Sequence, residues 1–142
     1  GDNAGVLERI KPEMPLADLA KHYSGTDEID DAVLRDDIAL NEMQKRAFML
    51  TQARAVAESE ANTPGAATSI FNYIEAEYVK EQLELQCRIR GTQAMGWRGD
   101  VFTEQDLSMS KLNLEAKSIS IAGGSNEVQL NIIAKRVLGL PG

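Results

Sequence analysis

The chain has 142 residues with one Cys, one His and one Trp, a length that suits one domain with a core of its own. It is 43 % hydrophobic and 26 % charged, an ordinary globular balance that excludes disorder over most of the chain. With 15 basic against 22 acidic residues the net charge is −7, which argues against nucleic acid as a partner, and lone Cys87 and His22 exclude zinc sites of several Cys and His ligands and a di-iron site of two Glu-x-x-His motifs.

Residues 1–15 read as a tag remnant or a frayed loop segment, with no signal peptide and with Pro12 and Pro15 as interruptions. Residues 16–142 read as one helical domain. A short helix is expected from Leu16 to Tyr23, ended by Ser24-Gly25. It carries His22, which is expected to be a solvated residue near the helix end and lies in a segment with no nucleophile signature for a Ser-His-acid triad. Asp27 to Asp31 forms an acidic stretch suited to a helix N-terminus, where the macrodipole favours negative charge.

A long helix is expected over Asp31 to Glu60. Leu40, Met43, Ala47 and Leu50 follow 3, 4, 3 spacing, so they share one face, which is expected to be the core face. Asn62-Thr63-Pro64-Gly65 breaks it. A second long helix runs from Ala67 to Arg90 with Phe71, Ile74, Tyr78 and Leu85 as its stripe. Cys87 in this helix reads as a small buried residue; a lone cysteine suits a reducing compartment, here the cytoplasm.

Gly91, Gly96 and Gly99 punctuate a loop in which Trp97 is expected to be a packing plug rather than a ligand platform. A third helix starts at Thr103, a candidate cap, with Glu104 and Asp106 in its first turn and Met109, Leu112, Ala116 and Ile119 as its stripe. Gly123-Gly124 breaks it. Ser125 or Asn126 caps a last helix that carries Leu130, Ile133 and Val137 and stops at Gly139. There is no alternating strand pattern, and no apolar run approaches the roughly 18 residues of a membrane span. The expected fold class is all-α, an antiparallel up-and-down four-helix bundle.

The segment Ser120-Ile-Ala-Gly-Gly-Ser-Asn-Glu-Val-Gln-Leu-Asn-Ile-Ile-Ala-Lys-Arg-Val-Leu-Gly-Leu-Pro141 resembles the closing segment of acyl-CoA dehydrogenases. Gly91-Thr-Gln-Ala-Met-Gly-Trp97 and Gly99-Asp-Val-Phe-Thr-Glu104 resemble the loop before the last helices in a bacterial branch of that family. The resemblance covers residues 16 to 141. It implies the C-terminal helical bundle of an FAD-dependent oxidoreductase of fatty acid metabolism that dehydrogenates an acyl-CoA thioester, assembled as a homo- or hetero-oligomer through the bundle. It also implies that this chain, without the family's N-terminal helical and middle β-domains, is inactive alone.

In many members a Glu just before the last Gly-Thr/Ser is the base that removes the α-proton. Here that slot is Gly123 and the neighbouring slot is Ala122, so no catalytic residue is assigned. Either the base stands on the missing part of the bundle's first helix, or the chain is a base-less partner subunit of a heteromer. By position, Gly124 would lie near the thioester, and Ser125, Asn126 and Glu127 would face the flavin dinucleotide. A Gly-Gly approach followed by a helix start with free amides also suits a pyrophosphate on turn chemistry alone; so does a plain glycine break with an N-cap. The family's Gln-x-x-Gly-Gly segment, which reaches a neighbouring subunit's flavin, matches Arg88, Ile89, Arg90, Gly91 and Thr92. Arg88 and Gly91 are thus cofactor candidates, with a solvated arginine at a helix C-terminus as the alternative for Arg88. The family's Arg-x-x-Phe-Gly motif is absent between Tyr23 and Asp31.

Overall fold

The structure is a computed structural model that describes residues 8–61, 67–121 and 125–141. Its regular elements are all helical: α1 (Leu16–Ser24), α2 (Ala32–Glu60), α3 (Ala67–Arg90), a 3-10 turn (Gly91–Met95), α4 (Glu104–Ala116), α5 (Asn126–Ile132) and a π turn (Ile133–Val137).

Local chemistry sets the ends. Pro15 precedes α1, and Gly25 closes it in the left-handed region at φ 70°, its amide donating to Lys21 O at 2.9 Å. Asp31 caps α2 by accepting from the Leu34 amide at 3.0 Å. Thr103 and Asp106 form a reciprocal capping box at the start of α4. Gly96 ends the 3-10 turn where a Cβ would stand 2.6 Å from the Phe102 ring, so only glycine lets the loop close over that ring.

α3 is the hub. One side of it presents Leu85 and Ile89 to Leu16, Leu19 and Ala20 of α1 and Ile38 of α2. Further along, Tyr78, Val79 and Leu83 pack with Met109 and Ala116 of α4, with Leu112 and Ile119 at the margin. α5 also lies on α3, while α2 packs on α3 and α1. Phe48 of α2 meets Phe71 of α3 edge-on, with centroids 5.9 Å apart. Residues 8–15 join this core: Ile10 is 3 % exposed within the α3–α4 cluster, and Glu13 reaches Arg90.

Several expected faces are corrected. α2 buries Ile38, Asn41 and Phe48, whereas Leu40, Met43, Ala47 and Leu50, the expected core stripe, are exposed. Apolar residues occupy both sides of this helix, and spacing alone cannot say which side meets α3. Ile74 and Leu130 are exposed as well, whereas Tyr78 and Leu85 are buried as read. Trp97 does not plug the loop. It is exposed, with the Lys111 ammonium 5.5 Å above its ring, and Phe102 packs against Gly96 instead. Among the described residues no helix is long and apolar enough to cross a membrane.

Candidate functional site

The start of α5 is built by local hydrogen bonds. The Asn126 amide donates to Ser120 O at 3.1 Å, which folds the chain back after α4. Ser125 is the N-cap, its hydroxyl accepting from the Val128 amide at 3.4 Å. The side-chain amide of Asn126 donates to the Glu77 carboxylate on α3, and Glu77 also pairs with Lys80 at 2.7 Å. Ser125 and Asn126 are half-buried and Glu127 is exposed, so the three make a surface lip. The backbone amide of Glu127 itself, the Ser125 hydroxyl and the Lys80 charge hold the Glu127 carboxyl below its usual range. Ala122, Gly123 and Gly124 lie outside the described residues.

Arg88 and Gly91 occupy a different place. Arg88 pairs across to Asp37 of α2 and is exposed; Gly91 is exposed with φ 57°. Glu77, which anchors Asn126, and Arg88 are eleven residues apart on α3, or roughly 16 Å along the axis. The structure thus gathers Ser125, Asn126 and Glu127 at one point of α3 and sets Arg88 and Gly91 at its far end.

One match decides the family. The acyl-CoA dehydrogenase C-terminal domain, as a family model, fits residues 16–138, which span α1 to the π turn. The chain belongs to the acyl-CoA dehydrogenase family. It is 30 % identical over 126 residues to "Acyl-CoA dehydrogenase IpdE1" of Mycolicibacterium smegmatis, covering 89 % of this chain and 29 % of that protein. It is 31 % identical over 126 residues to "Acyl-CoA dehydrogenase IpdE1" of Mycobacterium tuberculosis, covering 89 % and 31 %. The chain therefore spans under a third of the length of the curated relatives it matches. No solved structure matches it.

In this acyl-CoA dehydrogenase domain the most heavily buried charges are ones that sequence reasoning missed. Arg90, at the end of α3, is wholly covered. Its guanidinium donates to both oxygens of Glu13 at 2.8 and 2.6 Å and to Gln86 at 3.3 Å, and its Nε lies 3.2 Å from Asp106. Asp106 accepts from the Tyr23 hydroxyl at 2.5 Å and from the Thr103 hydroxyl at 2.8 Å, and Gln86 donates to Ile10 O at 2.6 Å. Burial pushes the Asp106 carboxyl up, but the Tyr23 and Thr103 hydrogen bonds and the Arg90 charge outweigh it and hold the group below its usual range. Burial and the bond to Asp106 raise Tyr23. This network ties α1, α3, α4 and residues 8–15 together at the turn that presents Gly91. Its one legible sign was an acid three residues after Thr103, the spacing of a capping box.

Cys87 is half-buried, its thiol 3.9 Å from Met109 O and pushed up by burial, so it is held as an unreactive thiol. His22 is exposed, edge-on to Tyr23.

Proposed function

We propose that this chain is the C-terminal domain of an FAD-dependent acyl-CoA dehydrogenase, an antiparallel four-helix bundle that contributes dinucleotide contacts and an oligomer interface to the whole protein. The observation that carries the reading is the family match over residues 16–138, a span that includes the lip at α5. The whole protein would remove the α-proton and β-hydride of an acyl-CoA, and bound FAD supplies the hydride acceptor.

The lip fits one part of that cofactor better than another. The first-turn amides of Asn126 and Val128 are taken up by Ser120 and Ser125, and the Glu127 carboxyl sits on its own amide. A charged carboxylate at that point repels a pyrophosphate but accepts from a ribose hydroxyl. Ser125, Asn126 and Glu127 are therefore assigned to the sugar side of the dinucleotide, and Gly124 to the neighbourhood of the thioester. Arg88, already paired with Asp37, and Gly91 are assigned to the cofactor of an adjacent subunit, consistent with their distance from the lip.

Neither Ala122 nor Gly123 can accept a proton. The base must come from elsewhere in the whole protein or from another subunit, and the isolated chain is inactive. That same gap supports a second reading, a base-less partner subunit of a heteromeric dehydrogenase.

The test uses the full-length protein, purified with FAD and mixed anaerobically with acyl-CoA thioesters of several chain types. Bleaching of the flavin by the homomer supports the first reading. Bleaching only after co-expression with a homologous subunit supports the second. A preparation that stays colourless in added FAD overturns both.

A further inference from the structure

The end of α3 is built to point one arginine outward and bury the next. Arg88 and Arg90 stand two residues apart, roughly 200° around the helix, so they project to opposite sides. Arg88 is exposed and pairs with Asp37, whereas the Arg90 side chain is wholly covered. Burying Arg90 fixes how the last turn of α3 is rotated, and with it the direction in which Arg88 leaves the surface. Gly91 follows in the left-handed region at φ 57°, with nothing within 4 Å of where a Cβ would stand, so its backbone is open to an approaching group.

α4 grips the chain on both sides of that glycine. Asp106 and Ser110 are four residues apart on one face of α4, and both are buried. Asp106 holds Arg90, the residue before Gly91, at 3.2 Å. The Ser110 hydroxyl donates to Ala94 O, three residues after Gly91, at 2.6 Å, closer than its 3.0 Å reach to Asp106 O of its own helix. Asp106 is itself fixed by the Thr103 and Tyr23 hydroxyls. The backbone from Arg90 to Ala94 is thus pinned at both ends to one helix. Surface turns at helix ends ordinarily belong to the least stable parts of a fold. A buried ion pair is a poor source of net stability, and in some proteins it serves to specify one arrangement.

We propose that Asp106 and Ser110 are positioning residues for the cofactor: they hold the Arg90–Ala94 backbone in the conformation that presents Arg88 and Gly91 to the cofactor of the adjacent subunit. This rests on the assignment of Arg88 and Gly91 to that cofactor, and it adds the two residues of α4 on which that presentation depends. Both are buried, so they act through the turn and not by contact. A turn ordered before binding lowers the entropy lost on binding.

The test uses the full-length apoprotein with the natural sequence and with Ser110→Ala, which removes only the grip on Ala94. Two readouts are taken: FAD affinity by titration, and amide hydrogen exchange over residues 91–95 without FAD. Ser110→Ala should weaken FAD binding about tenfold and speed that exchange about tenfold, the size of one well-made hydrogen bond. Phe48→Leu is the control for stability. Phe48 meets α3 at Phe71, roughly 28 Å along the axis from Arg90, so this variant should melt earlier yet change neither readout. An unchanged affinity or an unchanged exchange rate in Ser110→Ala overturns the proposal, and so does an equal loss of affinity in Phe48→Leu. Arg88→Ala separates the failures. If it weakens FAD binding and Ser110→Ala does not, the cofactor assignment stands and the positioning role falls. If neither weakens it, both fall.

Discussion

The end of α3 and the outer face of α2 handle the same problem in opposite ways. At the end of α3 the charges of Arg90 and Asp106 are taken out of water, and each is met by groups from other segments, Glu13, Tyr23 and Thr103 among them. Along α2 the apolar side chains of Leu40, Met43 and Leu50 are left in water and met by nothing among the described residues. A buried charge is tolerated only with its partners in place. An exposed apolar stripe of this length is a surface made to be covered. One region completes itself within the chain; the other leaves apolar surface that nothing among the described residues meets.

Arg90→Met should break the first region most severely, since it leaves Asp106 and Glu13 without their cation; we expect a loss of about 3–5 kcal/mol in urea unfolding. Gly96→Ala should cost about 1–3 kcal/mol, because the Phe102 ring must move aside. The pH profile sharpens the same contrast. Asp106 is held below its usual range, so its contribution is full above the unfolded carboxylate value of about 3.9 and is lost as the pH falls below it. Tyr23 is raised, so its contribution is full below the ordinary tyrosine value of about 10 and is lost as the pH rises through the raised one. Thermal melting across both limbs should show each loss, and Tyr78, pushed up to about 12 by burial and then by the Glu42 charge, should ionise late in a spectrophotometric titration. The smallest effect is expected on the outer face of α2: Leu40→Glu should change the stability of the chain by less than about 0.5 kcal/mol in urea unfolding, because Leu40 already stands in water.

Much of the fold was legible because it is written in local chemistry. Asp31, Thr103 and Ser125 cap where their side chains lead one to expect, and Gly25 closes α1 with a conformation other residues rarely adopt. What misled was a helix with two apolar sides. The spacing of Leu40, Met43, Ala47 and Leu50 is sound, yet the stripe faces outward, because α3 receives Ile38 and Phe48 instead. The pairing of Arg90 with Asp106 and Glu13 joins residues up to 77 positions apart and leaves no periodic trace. Of the site, the position of Ser125, Asn126 and Glu127 on one surface lip followed from the helix start, but the occupied amides did not. They depend on the turn that brings Ser120 back onto Asn126.

The account of the lip is tested most directly by titrating the full-length apoprotein with FAD, for the natural sequence and for Glu127→Gln. We expect tight binding that weakens at least tenfold in the variant, as loss of a charged hydrogen bond to a sugar hydroxyl requires. Absence of FAD binding, or an affinity that the substitution leaves unchanged, would contradict it.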